Sequence, residues 1–219
     1  MFTNSRGNSI IEVIVVMLVL TTGLTGAYGI LSSGQTLAVT TENRIKAVNI
    51  AREGIEAVEN IRSTNWIKFS SDYNACYDTA DYNPLCIGNT NPARPYSLKS
   101  GSYIMTGNSG GAWSLSGVTS PGSYTGATRP QYLAVFPIYL DSNGLLSQKG
   151  PPPSLKCTNT ISRNCVSIFT REIRITRPAD YSNIQIESIV TWKDGTRDEP
   201  YSITLNHTLT NWKYNYYQK

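Results

Sequence analysis

The four cysteines are the side chains whose types and spacing most directly indicate chemistry. Cys76 and Cys86 form one close pair and Cys157 and Cys165 another, each in a stretch rich in Asn, Thr and Ser. Four cysteines allow three pairings, and the one that joins sequence neighbours closes two short loops and fits an oxidising compartment. Zinc is the alternative, but the spacings are not those of zinc ribbons and His207 is distant in sequence. We therefore expect disulfides and no metal site, with the pairing left open.

The remaining side chains form no catalytic motif. The sequence contains no phosphate-binding loop, no H-E-x-x-H pair and no nucleophile elbow. Its single histidine, His207, is in phase with the apolar residues of its strand, which predicts a core-facing or edge position rather than a catalytic one. We expect a protein that is not an enzyme and that needs no cofactor.

Two groups of acidic residues are better explained as parts of a loop and of a turn than as metal sites. Asp72, Asp78 and Asp81 lie in a polar loop before Cys86, where carboxylates are normally solvated. The string Asp141-Ser142-Asn143-Gly144 resembles half of a calcium loop, but no acidic residue follows at the spacing of an EF-hand. Its Asn-Gly pair by itself predicts a hairpin turn.

The bulk composition is that of a folded protein with one main domain. The chain has 219 residues, of which 40% are hydrophobic and 16% charged, enough for one compact domain and an accessory segment. The net charge of +4 is spread along the sequence and forms no dense basic stripe, so nucleic-acid binding has only weak support.

An apolar run near the N-terminus carries one carboxylate. From Ile10 to Leu20 every residue is apolar except Glu12, and the run continues to Leu31, about twenty residues that suffice to cross a bilayer as a helix. A cleaved secretory signal is the alternative. It has only one basic residue ahead of it, and Glu12 would cost about 2.5 kcal/mol or more in its hydrophobic region. A charge in this place needs a function.

The residues around this carboxylate resemble the processing site of type IV prepilins and of the pseudopilins of type II secretion. The resemblance lies in Arg6-Gly7-Asn8-Ser9-Ile10-Ile11-Glu12-Val13. In that family a prepilin peptidase cleaves after the glycine, and the glutamate is the fifth residue of the mature chain. Gly7 and Glu12 are in this register, so the resemblance implies processing between Gly7 and Asn8 and an assembly role for Glu12. The carboxylate would pair with the new α-amine of a neighbouring subunit.

The resemblance implies a structural subunit, pilin or minor pilin-like, of a type IV pilus (a fimbrium) or of a related secretion or competence pseudopilus. Its partners would be other pilin subunits, the prepilin peptidase, the inner-membrane assembly platform, the membrane and a surface ligand. The chain would lie in the cytoplasmic membrane before assembly and in an extracellular or periplasmic filament afterwards. Methylation of Asn8 is open, because the family usually has an aromatic residue or Met there. The alternative function is a membrane-tethered binding or adhesion module that does not polymerise.

A helix from about Ser9 to Arg62 is predicted, and its two halves differ. The first half contains Gly23, Gly26, Gly29 and Gly34, each costing about 0.8 to 1 kcal/mol relative to alanine. These glycines allow close helix packing or mark a segment that unwinds on assembly, and both explanations stay open. The second half is amphipathic, with one apolar stripe that predicts packing on a core. The stripe is Ile45, Val48, Ala51, Ile55, Val58 and Ile61. Gly54 is expected where a strand passes close to the helix, and Trp66 is expected to seal the core.

The rest of the chain reads as a β-rich domain. Residues 67–130 show weak periodicity, with short strands expected near Tyr96 to Met105 and Ala112 to Leu115. Stronger patterns predict a strand over Tyr132 to Leu140 and an antiparallel meander with one buried face. The meander strands are Val166 to Thr176, Asn183 to Trp192 and Pro200 to Leu209, with a turn over Lys193 to Thr196. Ile189 is the exception to the alternation in its strand.

These patterns together predict an α+β, pilin-like fold in which a long N-terminal helix is half transmembrane and half packed on an antiparallel sheet. The expected organisation is a prepilin leader over residues 1–7, a membrane or filament-core half of the helix over 8–31, an amphipathic half over 32–66, and an extracytoplasmic globular domain over 67–219.

Overall fold

The computed structural model describes residues 9–91, 93–107, 112–125, 127–148, 154–158, 163–178, 183–193 and 199–211. Within these ranges the chain has a long N-terminal helix and a seven-stranded sheet whose paired strands are antiparallel, so the fold class is α+β. The leader 1–7, Asn8, residues 194–196 of the predicted turn and Trp212 lie outside the described residues.

Helix α1 extends over Ser9–Lys68 and contributes to two compact units, residues 1–45 and 46–219. It continues one and a half turns beyond the predicted end at Arg62 because tertiary contacts hold its last turns. Trp66 is buried, and the amide of Asn65 donates hydrogen bonds to Thr79 Oγ1 at 2.5 Å and to the Asp81 carbonyl at 3.2 Å. These bonds satisfy the donor group of a polar side chain that would otherwise favour a helix end.

The part of α1 within the second unit packs one stripe on the sheet. Its buried apolar residues are Ala47, Ile50, Ala51, Ala57, Val58 and Ile61. Ile45 does not belong to this stripe and is 57% exposed, which corrects the predicted start. It precedes Ala47 by two residues, and two residues turn an α-helix by about 200°, so Ile45 faces away from the core. Val48 and Ile55 are half-buried at the margins.

The sheet is organised around its longest strand. In chain order the strands are β1 Gly101–Gly107, β2 Trp113–Val118, β3 Pro137–Leu140, β4 Leu146–Ser147, β5 Cys165–Thr176, β6 Asn183–Trp192 and β7 Tyr201–Thr210. One edge of β5 pairs with β6, and the other pairs with β3 near the start of β5 and with β1 near its end. β2 and β4 extend the sheet beyond β1 and β3, and β7 pairs with β6. The predicted meander is β5-β6-β7, with bounds that agree to within one residue.

The predicted strand over Tyr132 to Leu140 is wrong in its first half. The short helix α2 is Tyr73–Cys76, and a third helix, α3, Arg129–Val135, precedes β3. Pro130 suits the first turn of a helix, and the rings of Tyr132 and Phe136, four residues apart, are both buried, with their centroids 4.8 Å apart. Aromatic residues favour strands in general, but here their spacing is helical. In the preceding segment β1 and β2 are paired antiparallel strands. A strand is expected near Tyr96 to Met105, but β1 starts only at Gly101, so residues 96–100 lie ahead of it.

The core lies between α1 and the sheet. Ala57, Val58 and Ile61 pack against Ile173 and Ile186. Nearer the start of this unit, Ala47, Ile50 and Ala51 pack against Phe169 and Trp192 in a second cluster.

Gly54 lies where the helix comes closest to the strands, as predicted. A Cβ atom there would be 2.5 Å from Ser188 Oγ on β6 and 2.7 Å from Ile173 Cδ1 on β5. Only a residue without a side chain allows this approach.

A buried arginine joins the helix to the sheet in a way that the sequence pattern did not indicate. Arg171 on β5 is 1% exposed, and its Nη1 atom lies 2.8 Å from Glu53 Oε2 on α1 while its Nε atom donates to Gln148 Oε1 at 3.0 Å. Burial lowers the pKa of Arg171, and the charge of Glu53 acts in the opposite direction. A buried charge that is paired in this way would be costly to leave alone.

Candidate functional site

The first unit presents an apolar helical surface that no described residue covers. Between Ile10 and Val39 the side chains are exposed, and the large apolar ones lie between 49% and 78% exposed. An 18-residue window of this helix has a mean hydropathy of 2.2, and the helix is long and apolar enough to span a membrane. Soluble proteins rarely expose an apolar surface of this extent without a partner or a lipid environment.

Threonine hydroxyls on this surface are satisfied within the helix. The hydroxyls of Thr21, Thr22 and Thr25 donate to the carbonyls four residues earlier, of Met17, Leu18 and Thr21, at 2.8 to 2.9 Å. Hydroxyls bonded to their own helix do not require water, so they suit an apolar environment.

Glu12 is exposed in the first turn of α1. Its carboxylate is close to the positive end of the helix dipole, which favours a negative charge. It forms no ion pair with another described residue. Gly7 and Asn8, the predicted processing residues, lie outside the described residues, so the structure does not place them relative to Glu12.

Both cysteine pairs form disulfides between sequence neighbours. Cys76 and Cys86 are joined with their Cα atoms 5.1 Å apart, and Cys157 and Cys165 with theirs 4.9 Å apart. The first bridge packs under Phe69 and is buried.

The loop around the first bridge is clamped by Asp72, which accepts hydrogen bonds from the amides of Ala75 at 3.0 Å and Gly88 at 2.8 Å. The loop is therefore tied both covalently and by its backbone.

Asp78 corrects the expectation that the acidic cluster before Cys86 is solvated. It is 2% exposed and accepts from Ser97 Oγ at 2.9 Å and from Arg94 Nη2 at 3.3 Å, and it also pairs with Arg177. The loop folds back on the sheet, and two arginines distant in sequence supply the positive charge that a buried carboxylate needs. The sequence contains no local signal for this network.

His207 lies on β7, on the face turned toward α1, and its Nε2 atom is 2.7 Å from Glu59 Oε1. The pair joins a strand at the end of the described sheet to the helix, which agrees with the predicted edge position. At the other suspected metal position, Asp141 Oδ1 accepts from the amides of Asn143 and Leu145 at 2.8 and 2.9 Å, as in the predicted hairpin turn. Within the described ranges no group of three His, Cys, Asp or Glu side chains is arranged to hold a metal ion.

A groove of about 760 Å³ on the sheet face opposite α1 was not predicted. Its floor includes Ile189 and Thr191 of β6 and Ser202 and Thr204 of β7, and one wall carries Tyr124. The one available signal was Ile189, the apolar residue that breaks the alternation of β6. We define the outer groove as the cavity lined by these residues together with Tyr132 and Arg174.

The inner end of the outer groove is organised by a buried carboxylate. Glu172 is fully buried and accepts hydrogen bonds from the Tyr132 hydroxyl and from Ser102 Oγ at 2.6 Å. Its Oε2 atom lies 3.2 Å from Arg174 Nη2. Burial, followed by the bond to Glu172, raises the pKa of Tyr132. The strand pattern had placed Glu172 on the polar face, which is covered here by α3.

Comparison with protein-family models, with curated proteins and with solved structures gives no match for this chain.

Proposed function

We propose that this chain is a structural subunit, pilin or minor pilin-like, of a type IV pilus or of a related type II secretion or competence pseudopilus. Two observations carry the proposal: Gly7 and Glu12 are in the register of a prepilin processing site, and the apolar helix that contains Glu12 is not covered by any described residue. Cleavage after Gly7 leaves this helix at the start of the mature chain, with Glu12 as its only charge in the apolar run.

The energetics of that helix support assembly through it. A carboxylate and a free α-amine are each costly in lipid, and pairing them between subunits removes part of both costs. The same exposed apolar side chains that suit lipid also suit a filament core in which equivalent helices pack together. In this proposal the helix serves as a membrane anchor first and as an assembly element later, with the peptidase and the assembly platform as partners.

The second unit supports a displayed rather than a catalytic role. Its helix packs on an antiparallel sheet, and its two disulfides fit an oxidising compartment outside the cytoplasm. We propose that it is exposed on a filament and has no enzymatic activity.

The decisive experiment is N-terminal sequencing of the protein extracted from membranes and from sheared filaments. A mature chain that starts at Asn8 supports the proposal, and the Gly7→Val variant is expected to retain the leader in the same preparation. A chain that starts at Met1, or after Gly29 as a cleaved signal would leave it, overturns it.

A membrane-tethered binding module is the second candidate, and the outer groove is the observation that favours it. Filaments sheared from cells and probed for this chain separate the two functions. A tether that does not polymerise stays with the cell membrane, whereas a subunit appears in the filament fraction.

A further inference from the structure

The outer groove carries several exposed hydroxyl groups. Ser202 and Thr204 of β7 are exposed on the face opposite α1, and Ser123 and Thr125 line the facing wall, whereas Thr191 of β6 is buried with its hydroxyl bonded to Thr170. A hydroxyl both donates and accepts a hydrogen bond, so such a surface matches a ligand that itself carries many hydroxyls.

Aromatic rings supply the apolar part of the same surface. Tyr124 and Tyr132 line the groove, with ring centroids 5.1 Å apart and planes 80° to each other. Tyr132 is itself only 2% exposed, and its bond to the buried Glu172 makes it a fixed support for the Tyr124 ring. A rigid ring offers contact area at little cost in conformational entropy.

The charges around the groove disfavour an anion. Arg174 contacts Glu172, and its Nη1 atom lies 3.5 Å from Glu187 Oε2. Glu199 also lines the groove. Two carboxylates therefore lie against the Arg174 guanidinium and offset its charge, which leaves little net attraction for an anionic ligand. The Arg174 side chain is 42% exposed, and its contacts with Glu172 and Glu187 hold it in place. It can therefore donate hydrogen bonds to a ligand in the groove.

We propose that the outer groove binds a neutral oligosaccharide, with a sugar ring against Tyr124 and with its hydroxyls bonded to Arg174 and to the β7 hydroxyls. The volume of about 760 Å³ lies in the range of pockets that enclose small ligands, ~300 to 1,000 Å³. The inference goes beyond the proposed function, because the groove belongs to the second unit and binds whether or not the chain polymerises.

The test is calorimetric titration of the full chain in detergent with a panel of neutral hexasaccharides built from glucose, galactose, mannose or N-acetylglucosamine. A sulfated heparin hexasaccharide is the anionic comparison. We expect at least one neutral member to bind and the sulfated one not to bind. Tyr124→Ala is expected to weaken binding about tenfold, which corresponds to about 1.4 kcal/mol.

Two residues of one strand face provide a matched pair of variants. Thr204 lines the groove, whereas Thr208, four residues on and exposed on the same face of β7, does not. Thr204→Trp fills the groove and should abolish binding, while Thr208→Trp should bind as the parent does, with both variants keeping the parent's unfolding midpoint. Absence of binding by every neutral hexasaccharide, binding of the sulfated one alone, or binding that survives Thr204→Trp would overturn the proposal.

Discussion

At the scale of single residues, Glu12 is the side chain on which assembly depends in our proposal. It is the only charged residue in an apolar run and lies on an exposed helical surface. Removing it makes membrane insertion easier, because a carboxylate in a bilayer costs about 2.5 kcal/mol or more. Its retention is therefore expected to serve a step after insertion.

Replacing Glu12 by alanine should separate insertion from assembly. We expect Glu12→Ala to remain in the membrane fraction and its recovery in sheared filaments to fall by about tenfold or more, which is about 1.4 kcal/mol of lost pairing. Quantitative immunoblots of the two fractions measure this. Glu42→Ala, on the same helix beyond the apolar run, is the control and should assemble normally. Normal incorporation of Glu12→Ala would remove our explanation of this carboxylate.

Gly54 is a residue whose role is steric. Glycine-to-alanine changes inside helices are usually favourable by up to about 1 kcal/mol. At Gly54 the added methyl group meets Ser188 and Ile173 on the sheet. We therefore expect Gly54→Ala to lower the free energy of unfolding by about 1 to 3 kcal/mol, as overpacked cores do. Urea unfolding followed by tryptophan fluorescence in detergent gives the value.

The control for Gly54 is Gly34→Ala, since no atom lies within 4 Å of a Cβ built there. Ser188 Oγ is buried and has no hydrogen-bond partner among the described residues, so removing it costs little by itself. Adding Ser188→Ala should then restore part of the stability lost in Gly54→Ala. Equal stability of Gly54→Ala and Gly34→Ala would contradict the close approach.

Tyr132 predicts a pH dependence of stability. Burial and the bond to Glu172 raise the pKa of Tyr132 in the folded protein, while an unfolded tyrosine titrates near ~10. Above about pH 10 the unfolded chain releases this proton and the folded chain keeps it, so the free energy of unfolding falls as pH rises. Below that pH the contribution is complete. Thermal unfolding between about pH 9 and pH 11 should show the decline.

Tyr132→Phe should reduce this alkaline slope without abolishing it, because burial also raises the pKa of Tyr77. At neutral pH the same variant should lose about 1 to 3 kcal/mol, since it leaves a buried carboxylate with one donor fewer. Tyr28→Phe, at an exposed position of α1, is the comparison and should change neither quantity. An unchanged slope in Tyr132→Phe would show that other groups cause the alkaline loss.

At the scale of elements, the two disulfides differ in what they hold. Cys76–Cys86 lies in the buried cluster under Phe69 and joins α2, Tyr73–Cys76, to the short 3-10 turn Pro84–Cys86. Cys157–Cys165 ties a segment with exposed neighbours to the start of β5. Both close short loops, for which chain entropy predicts stabilisation of about 2 to 3 kcal/mol each.

Removing each bridge by paired alanine substitutions should therefore have unequal effects. The variant lacking Cys76 and Cys86 should lose more than the about 2 to 3 kcal/mol of chain entropy, because buried packing disappears as well. The variant lacking Cys157 and Cys165 should lose about that amount or less. Urea midpoints under non-reducing conditions rank the two. A larger loss from the second pair would contradict the packing argument.

At the scale of the whole molecule, the chain separates into a unit with an uncovered apolar surface and a unit with its own core. The second unit, residues 46–219, contains both core clusters, both disulfides and the described sheet. The described members of both core clusters all lie at or after Ala47. Its stability should therefore be independent of the apolar helix.

A chain that starts at residue 40 tests this independence. We expect it to be monomeric without detergent, to retain both disulfides and to unfold at the same urea midpoint as the full chain within about 0.5 kcal/mol. Analytical ultracentrifugation and near-UV circular dichroism measure the state and the packing. Aggregation, or loss of the near-UV spectrum, would show that residues before 40 contribute to the fold.

The parts of the fold that the sequence predicted are those encoded by local periodicity. The apolar run, the amphipathic stripe and the alternation in β5, β6 and β7 each extend over about ten residues or more. A single tertiary contact cannot override a pattern of that length, so the predicted element forms. Gly54 was predicted for a related reason, since a glycine inside a helical stripe indicates a close neighbour. Short segments lack this redundancy, and the strand predicted over Tyr132 to Leu140 is a helix in its first half.

The sequence by itself determined that this chain has an apolar helix with one carboxylate, a second helical half made to pack on a core and a β-rich remainder with paired cysteines. Only the tertiary structure decided the cysteine pairing, the burial of Asp78, Glu172 and Arg171, and the outer groove. The physical reason is distance along the chain. Each buried charge is bonded to a partner contributed by another element, and the groove is lined by residues from five segments, so no local pattern records either of them.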